Sequence, residues 1–100
     1  MSHLQTGNRA TVVDQDKDGG WNEPNTLRRW PVKGAATKIA MVGVGSTVQL
    51  LYGPFTDQHG AIWWAVRVES DTFGGDGRQT GQTGWMAETD PDRPGVVNLA

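Results

Sequence analysis

The segment that most constrains this chain is residues 61–68, AIWWAVRV. One parity of the segment is apolar throughout: Ile62, Trp64, Val66 and Val68. The other parity, which begins with Trp63, is mixed. Successive side chains of a β-strand leave opposite faces of a sheet, so this alternation predicts a half-buried strand. It predicts that Trp64 lies in the core and that Trp63 faces solvent, where a large apolar ring indicates a binding surface.

The rest of the chain favours an all-β fold. Fourteen glycines and five prolines among 100 residues are typical of many turns and short strands. No window has sustained apolar residues at helical spacing. Five short strands are predicted, at residues 10–14, 46–52, 61–69, 82–88 and 96–99. Together they predict a small, partly open barrel of antiparallel strands.

Two long connections separate these strands. Residues 15–38 are polar but carry apolar anchors, which predicts a folded loop because bare loops of this length are uncommon. Residues 70–81 are rich in glycine and predict a mobile hairpin loop that supplies little to the core. There is no internal repeat and no linker. We therefore expect one domain over residues 10–100, after a flexible amino-terminal segment of residues 1–9.

Composition excludes several classes of function. The formal net charge is −2 with no basic stripe, so nucleic acid is not an expected partner. The longest apolar run, residues 39–45, is far short of the ~20 residues that cross a bilayer. No signal peptide is visible at the amino end. Because cysteine is absent, disulfides and thiolate chemistry are excluded.

Four segments together resemble a known family. They are residues 46–54 (STVQLLYGP), 63–67 (WWAVR), 83–88 (TGWMAE) and 97–99 (VNL). Their order is similar to that of bacterial SH3-like (SH3b) domains, in which a GTxVxVL strand precedes WWKVR, GxTGWV and a short closing strand. The chain departs from the family where Trp30 and Pro31 replace a glycine–proline turn, and where the loop after the third predicted strand is longer.

The resemblance implies a non-catalytic targeting module that recognises a short peptide or a peptidoglycan stem peptide, outside the cytoplasm or at the cell wall. The aromatic side chains expected to line its groove are Trp63, Tyr52, Phe55, Trp85, Trp21 and Trp30. The carboxylates of Asp14, Asp16 and Asp18 are expected to attract a basic group of the ligand. The alternative is a structural or assembly protein that uses the aromatic patch to contact a partner protein or a second copy of itself.

Two further hypotheses find less support. Residues 14–25 place carboxylates at alternating positions before a glycine, as calcium loops do, but the twelfth position is Asn25 rather than a bidentate glutamate. A solvated acidic turn is the alternative there, and we predict no metal ion and no cofactor. For catalysis, the histidines are only His3, in the amino-terminal segment, and His59, in a polar turn. Neither belongs to a nucleophile arrangement, so we do not expect an enzyme.

Overall fold

The computed structural model describes residues 4–14, 24–72, 74–93 and 95–100. These residues form one antiparallel sheet of six strands, and a single 3-10 turn at Ala35–Thr37 is the helical part of the described chain. The strands are β1 (Arg9–Thr11), β2 (Asn25–Arg28), β3 (Lys38–Val42), β4 (Thr47–Thr56), β5 (Ile62–Ser70) and β6 (Thr83–Ala87). Their order across the sheet is β1-β4-β5-β6-β2-β3. The predicted all-β fold is confirmed.

The core lies against the inward face of the long central strands. On β5 it takes Trp64, Val66 and Val68, as the alternation predicted. The neighbouring strands add Val48 and Leu50 from β4, Met86 from β6, and Leu27 and Val42 from β2 and β3. Ala10, Val12 and Leu99 complete the cluster. The described part of the chain has no helix that is both long and apolar enough to cross a membrane.

The prediction of a loop over residues 15–38 is wrong for residues 25–28, which form a strand. Asn25–Arg28 forms β2 and pairs with β3, with Leu27 opposite Ala40. A single pair, Arg28 with Trp85, joins β2 to β6. Both strands are short and pair mainly with each other, and they join the rest of the sheet through Trp85, which is far away in sequence. Propensity within the segment therefore could not identify them.

The predicted fifth strand at residues 96–99 contributes isolated bridges instead. Val12 bridges to Leu99, and Thr89 bridges to Val97. The amide of Asn98 also donates to the carbonyl oxygen of Glu88 at 2.8 Å. The carboxyl-terminal residues thus connect the start of the chain with the residues after β6, and the sheet remains a partly open barrel.

Two segments pack more closely than the sequence predicted. In the 70–81 loop, Asp76 accepts a hydrogen bond from the Met41 amide at 2.8 Å and donates its own amide to the Met41 carbonyl oxygen at 2.9 Å. The loop therefore covers the outer edge of β3. In the amino-terminal segment, the Gly7 amide donates to the Leu50 carbonyl oxygen at 2.8 Å, and Leu4 packs against the core. Packing contacts therefore begin before the predicted domain boundary at residue 10.

Candidate functional site

The central part of β4 is irregular in a way that exposes aromatic side chains. Leu50 and Tyr52 pair with neighbouring residues of β5, so β4 has one residue more than β5 at that point. Phe55 follows Tyr52 by three residues, whereas their partners on β5, Trp63 and Ala65, are only two residues apart, so β4 again has one residue more than β5. Each extra residue is a β-bulge that moves the following side chains to the other face. Leu50 consequently lies in the core, whereas Tyr52 and Phe55 share the outer face.

Gly53 and Pro54 form the second bulge, and the peptide bond between them is cis. Gly53 has a φ of +131°. A Cβ at this position would lie 3.1 Å from the Trp63 carbonyl oxygen and 3.1 Å from the Trp64 ring. A glycine is therefore required for β4 to pass this closely over β5.

Trp85 on β6 is the centre of the outer aromatic cluster. Its ring centroid lies 6.1 Å from that of Tyr52 and 6.5 Å from that of Phe55, with interplanar angles of 83° and 71°. These edge-to-face arrangements are favourable for aromatic pairs. Ala65 of β5 pairs with both Tyr52 and Trp85, and its small side chain leaves room for the two rings to meet above it.

These rings form one side of an open groove of about 420 Å³. The groove, called the aromatic groove below, is lined by Trp30, Pro31, Tyr52, Gly53, Pro54, Phe55 and Trp85. Tyr52 is 67% exposed, Trp30 is 65% exposed and Phe55 is 44% exposed. Its volume falls in the range of small-ligand sites, and most of its lining is apolar.

Trp30 and Pro31 belong to the turn between β2 and β3, which hydrogen bonds hold in place. The Arg28 Nη1 donates to the Gly34 carbonyl oxygen at 2.8 Å and to the Thr37 hydroxyl at 3.1 Å. The Thr37 hydroxyl donates in turn to the Val32 carbonyl oxygen at 2.6 Å. Burial lowers the pKa of the Arg28 guanidinium from its ordinary value. The turn that carries Trp30 is therefore held by hydrogen bonds, although the Trp30 ring itself is exposed.

The prediction that Trp63 faces solvent is wrong. Trp63 does lie on the face opposite Trp64, but it is only 1% exposed. Ala61, Ala87 and Trp85 cover it in a small second cluster. Its indole Nε1 donates to the Asp57 Oδ2 at 2.9 Å. Trp63 is thus a buried ring beneath Trp85, because the outer face of β5 is covered by side chains from β6 and from the β4–β5 turn.

Asp57 organises that turn. Its Oδ1 accepts hydrogen bonds from the amides of His59 and Ala61, at 2.8 and 3.0 Å. Desolvation by burial, the largest single influence, raises the pKa of Asp57, but the hydrogen bonds from Trp63, Ala61 and His59 together outweigh it. The net effect lowers the pKa of this carboxyl from its ordinary value of 3.8, so it is ionised at neutral pH.

The acidic residues predicted to attract a basic ligand group are not part of the aromatic groove where they are described. Asp14 is buried and lines a separate polar cavity of about 150 Å³, together with Arg28, Asn98 and other residues. Asp16, Asp18 and Trp21 lie outside the described residues, as does most of the segment that resembles a calcium loop.

Four of the predicted aromatic residues therefore come together in one groove: Trp30, Tyr52, Phe55 and Trp85. The sequence reasoning missed the contribution of Pro31 and Pro54 to the lining. Each of the two prolines lies directly beside an aromatic residue in the sequence. This position could have indicated that they line the groove, because extended ligands bind in apolar grooves that aromatic rings line. The described residues contain no group of three or more histidine, aspartate or glutamate side chains that could hold a metal ion. The chain matches no protein-family model, no curated protein and no solved structure.

Proposed function

We propose that this chain is a non-catalytic binding module whose aromatic groove takes a short extended peptide, such as a peptidoglycan stem peptide at the cell wall. The observation that supports this proposal is the exposure of Tyr52 and Trp30 beside the half-buried Trp85. Large aromatic rings gathered on an open face are unfavourable in water unless a partner covers them. The sequence resemblance to bacterial SH3-like domains supports the same function, with Trp85 rather than Trp63 as the central ring.

An extended peptide suits this groove for energetic reasons. A polyproline-like or otherwise extended ligand has little conformational entropy left to lose when it binds between aromatic rings. Burying one ring face of ~80 Å² contributes on the order of 2 kcal/mol at about 25 cal/mol per Å². Two or three such contacts, less the cost of association, give a dissociation constant in the micromolar range.

The experiment is a fluorescence titration with two probes, a synthetic proline-rich decapeptide and a disaccharide-pentapeptide from peptidoglycan. We expect a micromolar transition in the native protein with at least one of the two probes. Tyr52→Ala removes an exposed ring, and we expect it to raise the dissociation constant about tenfold. Thr56→Ala, an exposed position on the same strand but outside the groove, serves as the control and should bind like the native protein.

Two outcomes would contradict the proposal: no transition with either probe, or the same affinity in native protein and Tyr52→Ala. The alternative, an assembly role, is separated by sedimentation velocity. A dimer that dissociates in Tyr52→Ala but not in Thr56→Ala would assign the aromatic groove to contact between two copies of the chain.

A further inference from the structure

The apolar surface does not end at Trp85. Trp85 also lines a second depression of about 410 Å³, called the Ile39 depression below. It is lined by Arg29, Ile39, Leu51, Ala65, Val66, Thr83, Gly84 and Trp85. Trp85 lines both this depression and the aromatic groove. A ligand that crosses Trp85 therefore passes from one directly into the other.

Positive charge borders the Ile39 depression. Arg29 is exposed and lines it. Arg67 is exposed and pairs on the sheet with Thr83, another lining residue. In the described part of the chain neither arginine has an ion pair, and the Arg67 guanidinium contacts only the Gln49 amide oxygen, at 3.4 Å. Among the residues that the structure describes, no acidic side chain lines the depression.

The opposite end of the surface has the opposite character. Beyond Pro31 lies a third depression, which is lined by Lys33, Asp57, His59 and Asp92 among others. Lys33 is paired with Asp92, so the Asp57 carboxylate is the charge that no ion pair balances among the described residues of this depression. The surface therefore runs from a negative end, across the aromatic rings, to a positive end.

We infer that the Ile39 depression takes an aliphatic side chain of the bound peptide, and that Arg29 and Arg67 bind a carboxylate that follows it. This inference rests on the proposed peptide groove. The apolar floor favours the aliphatic group, and the planar guanidinium groups match a carboxylate in shape and charge. The ligand is thus a peptide with an acidic end, oriented along β5 with that end away from Asp57.

The geometry also sets the spacing. Arg67 lies two residues beyond Ala65, the partner of Trp85, which is about 6.6 Å along β5 at the usual strand rise. An extended peptide advances about 3.1 Å per residue. The carboxylate is therefore expected about two residues beyond the ligand residue that stacks on Trp85.

Three synthetic peptides test this inference by calorimetry. All carry the core acetyl-Ala-Pro-Pro-Leu and end in Glu-Glu amide, Gln-Gln amide or Lys-Lys amide. We expect the acidic peptide to bind about three- to tenfold tighter than the neutral one, as two exposed ion pairs allow, and the basic peptide to bind weakest. The preference should shrink in 0.5 M salt because exposed charges are screened. In amide NMR spectra, the acidic peptide should shift Thr83 and Gly84.

Charge-reversal variants locate the effect. In Arg29→Glu with Arg67→Glu, we expect the order of the three peptides to invert. A control of equal charge change, Lys38→Glu with Arg78→Glu, alters exposed basic residues outside the depression and should keep the native order. All four positions are exposed, so both variants should fold, which thermal melting verifies.

The outcomes separate this inference from the proposed function. If the three peptides bind equally, or if the acidic preference survives the Arg29→Glu and Arg67→Glu changes, the inference is wrong. Binding that is nevertheless lost in Tyr52→Ala would leave the aromatic groove standing. If none of the three peptides binds, and the decapeptide and the disaccharide-pentapeptide do not bind either, both proposals are overturned.

Discussion

Asp57→Ala is the change that best tests how Trp63 is held inside the domain. The Asp57 carboxylate accepts one hydrogen bond from the Trp63 indole at 2.9 Å and two from backbone amides of its own turn, at 2.8 and 3.0 Å. Alanine removes both acceptor oxygens and with them all three hydrogen bonds. The indole N–H, which belongs to a ring that is only 1% exposed, then has to find water or remain unpaired.

The expected cost follows from these three bonds. Because the carboxylate is only partly buried, each is placed at the low end of the usual range, ~0.5–1 kcal/mol. The free energy of unfolding should therefore fall by about 2 kcal/mol, which corresponds to a melting temperature lower by about 8–16 °C for a domain of this size. Asp57→Asn keeps the shape but offers one oxygen only, so we expect about half the loss.

The measurement is urea unfolding followed by tryptophan fluorescence at pH 7 and then in acid. The folded state lowers the pKa of Asp57 from its ordinary value of 3.8. Its stabilising contribution is therefore complete above that ordinary value and is lost as the pH falls through the folded-state pKa. The difference in stability between native protein and Asp57→Ala should narrow over that acidic range.

Asp92→Ala is the matched control, because Asp92 is an exposed aspartate whose side chain pairs with Lys33 at the surface. Its removal should change stability by less than about 0.5 kcal/mol. If Asp57→Ala is as stable as Asp92→Ala at pH 7, or if its loss of stability is unchanged in acid, the ionised carboxylate does not stabilise the domain through its hydrogen bond to Trp63.

Three further outcomes are expected. Trp64→Phe should lower the free energy of unfolding by about 3 kcal/mol in urea titrations, because the Glu88 Oε1 loses the indole donor 2.7 Å away inside the core. Gly84→Ala should lower the free energy of unfolding by about 1–3 kcal/mol, because the added Cβ would lie 2.7 Å from a β2 carbonyl oxygen. Gly95→Ala is its control and should be nearly neutral, because a Cβ at Gly95 would meet nothing within 4 Å. Asp76→Ala should speed hydrogen exchange at the β3 amide that donates to its carboxylate, by roughly the five- to tenfold that one lost hydrogen bond allows, with unchanged exchange in the core of β5 as the reference.

Alternation in sequence predicted the two faces of β5 correctly and still gave the wrong environment for Trp63. Period-two patterning places Trp63 and Trp64 on opposite faces, as observed. Whether one face of a strand is exposed to solvent depends on which residues pack against it. Here Trp85 and Ala87 of β6 pack against the face that carries Trp63. Such cover is non-local, so it cannot be read from the strand itself.

The bulges of β4 limited the prediction of the groove for a related reason. Strict alternation puts Leu50 and Tyr52 on one face and Phe55 on the other. Two inserted residues reverse that outcome and bring Tyr52 and Phe55 together beside Trp85. Gly53 and Pro54 indicate from the sequence that the strand is interrupted. The number of extra residues in the resulting bulge, however, is set by the pairing of β4 with β5.

The two tryptophan clusters link stability to the proposed binding. Trp85 covers Trp63 from one side and forms the floor of the aromatic groove on the other. The position of that floor therefore depends on the hydrogen bond that seats Trp63 on Asp57. Asp57 does not line the aromatic groove, so weaker binding of the uncharged Gln-Gln amide peptide in Asp57→Ala, at temperatures where the domain is still folded, would point to an effect through Trp63 and Trp85. The Tyr52 ring contacts Trp85 edge-to-face, but Tyr52 and Trp30 are both largely exposed, so their removal tests binding while the hydrogen bond between Trp63 and Asp57 stays in place.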